Sequence, residues 1–83
     1  MMKVLASIIF VSDAKRTKEH YGQEQLTAEH NGRFFRISID RSMSPPFYEL
    51  FEEYEQDGRL LNNRLFASTH LQKIENYIKE NVL

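Results

Sequence analysis

Asn31-Gly32 constrains the fold of this chain more than any other dipeptide in it. A two-residue type I′ turn needs positive φ at both central positions, and Asn followed by Gly meets that need at the least steric cost. The flanking segments, LTAEH before the pair and RFFRISID after it, alternate between apolar and polar side chains. A hairpin closed at that turn pairs His30 with Arg33, Glu29 with Phe34, Ala28 with Phe35, Thr27 with Arg36, Leu26 with Ile37 and Gln25 with Ser38. Leu26, Ala28, Phe35, Ile37 and Ile39 then share one face, while Gln25, Thr27, Glu29, Phe34, Arg36, Ser38 and Asp40 share the other. A slip of one residue would turn every apolar side chain to water, so the pattern itself fixes the register. Phe35 is assigned to the core and Phe34 to the outer face.

The other segments are read outward from this hairpin. An apolar run from Val4 to Val11, rich in β-branched residues, predicts a buried strand. A secretory signal is the competing reading, but the run is short for one and is preceded only by Lys3. Residues 12–22 are polar and basic without a period, which predicts a connection holding one helical turn. The segment SMSPPFYELFEEYEQDGRLLNNRLFAS has two readings. As a helix, Ser44 would cap it, Pro45 would open it and Phe47, Leu50, Phe51 and Tyr54 would form its stripe. As a hairpin, Asp57-Gly58 is a second type I′ turn pairing Tyr54 with Leu61, Leu50 with Leu65 and Tyr48 with Ala67. The aromatic content favours the strands, although four glutamates oppose them. Over residues 69–82, Leu71, Ile74, Ile78 and Val82 form a helical stripe with Tyr77 at its border and a capping box at Thr69 and Gln72. Lys73, Glu75, Lys79 and Glu80 make the opposite, polar face.

At 83 residues the chain can form one domain, 1–83, and about 60–65% of its unfolded surface can be buried. The architecture that follows is α+β: an antiparallel sheet of four to five strands, a meander of hairpins, with the C-terminal helix packed on one face in two layers. Stability at about 0.05–0.15 kcal/mol per residue totals roughly 4–12 kcal/mol, which leaves little to support a strained catalytic apparatus.

Chemistry-bearing patterns are sparse. There is no cysteine, so disulfides, thiolate nucleophiles and Cys-based zinc sites are excluded. His20, His30 and His70 are not at ligand spacing, no serine sits in a nucleophile elbow, and three isolated glycines make no phosphate loop. No catalytic residue, metal or cofactor is expected. Nor does any stretch approach the roughly 20 apolar residues of a membrane span, and a cytoplasmic location without membrane contact is expected.

Two surfaces remain as candidates. Glu49, Glu52, Glu53, Glu55 and Asp57 place five acids within nine residues without a base, a solvated face or a recognition surface for a basic partner. Phe34 with Arg36, aromatic beside arginine, is the combination enriched at interface centres. Residues 1–41 carry seven Lys and Arg against five acids, and residues 42–83 carry four against seven, so a basic side and an acidic side are expected. Together with Lys15, Arg16, Lys18 and Arg41, the pair Phe34 and Arg36 could also stack on single-stranded nucleic acid, which a net charge of −1 disfavours. The leading expectation is a small non-enzymatic protein-binding module, an inhibitor, regulator or accessory protein of the kind common in bacteria and their phages. Its partner would be another protein or a second copy forming a homodimer. A minor enzyme with a site at a dimer interface is the third reading.

Overall fold

Six strands in sequence order form a single antiparallel sheet in a computed structural model that describes residues 2–83. They are β1 (Met2–Leu5), β2 (Ile8–Ser12), β3 (Glu24–His30), β4 (Arg33–Asp40), β5 (Phe47–Gln56) and β6 (Arg59–Ser68). Helix α1 (Ala14–Glu19) joins β2 to β3, and α2 (Leu71–Asn81) ends the chain. The α+β antiparallel class is as expected, with one strand more than four to five allow. The extra strand comes from the run Val4 to Val11, which is two strands folded back at Ala6 and Ser7 rather than one. Those two residues take φ of 51° and 68°, the conformation of a tight hairpin turn, without Gly or Asn to signal it.

Asn31 and Gly32 have φ of 52° and 77°, and β3 pairs with β4 in the expected register throughout. The second hairpin turns at Asp57 and Gly58 as expected and keeps its register through Tyr54 with Leu61 and Glu52 with Asn63. A shift between Leu50 and Phe51 then changes the pairing, so Leu50 faces Phe66 and Tyr48 faces Ser68 rather than Leu65 and Ala67. One extra residue, Leu65, is absorbed there as a bulge, which packs it against the core instead of losing it from the face.

One face of the sheet collects Leu5, Ile8, Phe10, Leu26, Phe35, Ile37, Ile39 and Leu50, all buried. Helix α2 lays Ile74 and Ile78 across it, with Leu71, Tyr77 and Val82 at the margin and Phe66 stacked on Tyr77 at 5.1 Å between ring centroids. Burial of each isoleucine contributes about 1.5–3 kcal/mol, which is what holds an eleven-residue helix that alone would be marginal. The expected capping box does not form. His70 is the N-cap residue without a side-chain cap, Ser68 Oγ accepts from the His70 amide, and Gln72 turns to Glu75 and Asn76. Glu75 is only partly solvated, because its carboxylate accepts from the Ala6 amide at 2.7 Å and so ties α2 to the β1–β2 turn.

Helix α1 stands on the opposite face, an addition to the expected two layers. Asp13 caps it by accepting from the Arg16 amide at 3.0 Å, and Thr17 Oγ1 accepts from the Gln25 amide at 3.0 Å. Because α1 is six residues long, it covers only part of that face.

Candidate functional surface

Beneath α1, outward-pointing side chains of the central strands are buried with polar partners. Arg36 on β4 is 3% exposed and Glu53 on β5 is 7% exposed, and Arg36 Nε donates to Glu53 Oε2 at 3.2 Å. Arg16 on α1 donates to the same carboxylate oxygen. Arg36 also donates to Gln25 Oε1, Gln25 Nε2 donates to Ser38 Oγ at 2.9 Å, and the Arg36 guanidinium lies 4.4 Å from the Phe51 ring centroid. Among the described residues no buried side-chain donor or acceptor lacks a partner here. A fully satisfied network of this kind specifies structure. Arg36 was expected on the outer surface beside Phe34; it is on that face, but α1 and its own ion pair enclose it. Glu53 and Arg16 are likewise engaged within the chain.

The five acids do not gather. Strand alternation sends Glu49, Glu53 and Glu55 to one face of β5 and Glu52 to the other, and most meet arginines. Glu49 pairs with Arg64 at 3.0 Å, and Glu52 takes two hydrogen bonds from Arg33 at 2.9 and 2.8 Å. Those hydrogen bonds, more than charge attraction, hold the Glu52 carboxyl below the usual carboxylate range, while partial burial opposes them. Glu55 and Asp57, at the tip of the hairpin, keep no arginine partner. No group of three His, Asp or Glu side chains among the described residues could hold a metal ion.

The basic candidates are dispersed too. Lys15 and Lys18 are exposed on α1, and Arg41 pairs with Glu24 at 2.8 Å at the far end of β4 from Phe34. No helix among the described residues is long and apolar enough to cross a membrane.

Phe34 is exposed, and it has company that the sequence reading did not give it. On the same sheet face Met2 pairs with Val11 and Val4 with Ile9, so the β1–β2 hairpin turns a block of four apolar side chains outward. These five residues are between 46% and 64% exposed. A groove of about 390 Å³ runs between β2 and Phe34, lined by Ile9, Val11, Thr27, Glu29 and Phe34, with Asp13, Arg16 and Glu53 at the α1 side. On the other flank of Phe34 lies a second groove of about 560 Å³, with Gly32, Tyr54 and Leu60 in its walls. Phe34 is therefore a ridge between two depressions. The signal for the block was present in the sequence: strands apolar at nearly every position are characteristic of burial on both faces, and here the chain covers only one. A reading of the run as one strand hides it, because Ala6 and Ser7 turn the chain without a Gly or Asn to mark the reversal.

No known protein family, curated protein or solved structure matches this chain.

Proposed function

We propose that this chain is a non-enzymatic protein-binding module, a small cytoplasmic regulator, inhibitor or accessory protein, which docks through the outer sheet face formed by Phe34 and the β1–β2 hairpin. One observation carries the reading: Met2, Val4, Ile9, Val11 and Phe34, each about half exposed or more, lie on one face of one sheet. Isolated exposed apolar residues are ordinary, whereas the adjoining block of Met2, Val4, Ile9 and Val11, with Phe34 one strand beyond Glu29, is a grouping that marks an interaction surface. Across the strands Phe34 is flanked by Glu29 and Glu53, and the apolar block of the β1–β2 hairpin begins one strand beyond Glu29. The unpaired acids Glu55 and Asp57 at the β5–β6 tip are secondary candidates for contact with a basic surface. The nucleic-acid reading loses Arg36 and Arg16 to the internal ion cluster, which leaves too few free cations near Phe34 to follow a phosphate chain.

The test is partner capture with the purified chain and two surface variants, Phe34→Asp and Val4→Asp. Both positions are exposed, so circular dichroism should be unchanged while the captured partner is lost from both. Capture that ignores both substitutions but fails with Glu55→Lys and Asp57→Lys would transfer the docking role to the acidic tip.

A further inference from the structure

We infer that the occupant of this face is a second copy of the same chain, stacked sheet on sheet about a two-fold axis. The inference rests on the docking-face reading and adds the identity of the partner. Three features of the surface support self-association. The first is shape. The Phe34 ridge and the groove lined by Ile9, Val11 and Thr27 lie side by side on one face, so a two-fold rotation places the ridge of each copy over the groove of the other. A surface that carries both its knob and its hole is self-complementary, as an isologous contact requires.

Area is the second feature. From their fractional exposures, the five apolar side chains leave on the order of 500 Å² open to solvent, at the upper end of what a monomer shows. A standard interface buries roughly 800 Å² per partner, so these five side chains would supply its apolar part and polar neighbours the remainder. Helix α1 stands on the same face and confines the contact to the region over β1, β2 and the turn end of β4, so the two sheets meet offset.

Charge is the third. The chain as a whole carries only −1, too little to hold copies apart. The face carries both signs, Lys15 and Lys18 on α1 at its margin and Glu29 on β3 within it beside Phe34, all exposed, so an antiparallel stack has unlike charges available to oppose one another. The arrangement would also complete the β1–β2 hairpin, giving its outer residues the second layer that their composition calls for, at the sheet spacing of about 10 Å.

Sedimentation equilibrium of the full chain over graded concentrations, run beside Ile9→Lys, Phe34→Asp and the edge variant Asn62→Pro, decides the matter. The expected result is a mass rising to twice the 9.9 kDa monomer for the native chain and for Asn62→Pro. In Ile9→Lys and Phe34→Asp the dissociation constant should rise at least about a thousandfold, because each substitution enters the dimer twice. Ile9 and Phe34 are exposed in the monomer, and a circular dichroism spectrum matching the native one confirms that each variant folds. A native chain that stays monomeric at every concentration overturns the second copy; the docking face then stands or falls on the capture experiment above. Dimers that survive both face substitutions, or that are lost only in Asn62→Pro, overturn the stacked arrangement and place the contact elsewhere, in the latter case at the β6 edge.

Discussion

An arginine at an outward strand position is ordinarily solvated, and the alternation around Arg36 gives no reason to expect otherwise. What encloses it is α1, whose sequence AKRTKE has no apolar stripe to announce packing. The helix is held instead by Asp13, Thr17 and Arg16, through polar contacts that periodicity does not encode. Breaking a buried ion pair by removing one partner typically costs about 3–5 kcal/mol, so Glu53→Gln, which leaves two arginines facing a neutral amide, should lower the urea-unfolding free energy by that amount. Glu55→Gln, two residues on and exposed, should change it by less than about 0.5 kcal/mol. The partition of Phe34 and Phe35, by contrast, was legible, because one turn type and one alternation determine it. Phe35→Ala should cost about 3–5 kcal/mol as a core truncation, and Phe34→Ala, measured at monomer concentrations, under about 1 kcal/mol. Glu52 adds a pH dependence. Its folded-state carboxyl is depressed by Arg33, so its contribution is complete above the ordinary value of about 4.3 and is lost as pH falls through the depressed one. Glu52→Gln should therefore flatten the acid limb of the stability curve, by no more than about 1 kcal/mol since Arg33 is exposed.

Among the elements, what could be read depended on whether a turn carried its usual residues. Asn31-Gly32 and Asp57-Gly58 did, and both hairpins close where expected. Ala6-Ser7 did not, so the run from Val4 to Val11 carries no mark of the reversal between the two strands. That turn is an opportunity for stabilisation: Ser7 is exposed, at φ 68°, where a side chain costs about 1–2 kcal/mol and glycine nothing. After the greater chain entropy of glycine is subtracted, Ser7→Gly should raise stability by about 0.5–1 kcal/mol in chemical denaturation. Glu75→Ala removes the acceptor of the Ala6 amide on the other side of the same turn and should lower stability by about 1–3 kcal/mol. The choice of strands over a helix for the segment after Pro45 came from aromatic content outweighing glutamate. Its register could be read only as far as the bulge at Leu65, which packs against the core and which no turn residue in the sequence marks.

At the scale of the whole molecule, every strand pairs with its neighbour in sequence, and one apolar face is closed by a helix from the far end of the chain. The molecule measures 38 × 31 × 20 Å, with α2 packed across one face of the sheet and α1 covering only part of the other. Such a meander leaves two free edges, β1 with four residues and β6 with ten, and each has a row of amides and carbonyls without strand partners. Hydrogen exchange of the full chain should reflect this. Leu26 on β3 and Ile37 on β4 are paired on both sides and buried, so their amides should open only with global unfolding, whereas outward amides of β1 and β6 should exchange orders of magnitude faster. The same measurement repeated at the highest concentrations of the sedimentation series separates the two ways a copy could add. Stacking through Phe34 and the β1–β2 block buries side chains but leaves the edge amides open, so edge protection should not change while core amides slow with the added stability. Pairing edge to edge would instead hydrogen-bond the β1 or β6 amides directly, and selective slowing there would contradict the sandwich arrangement.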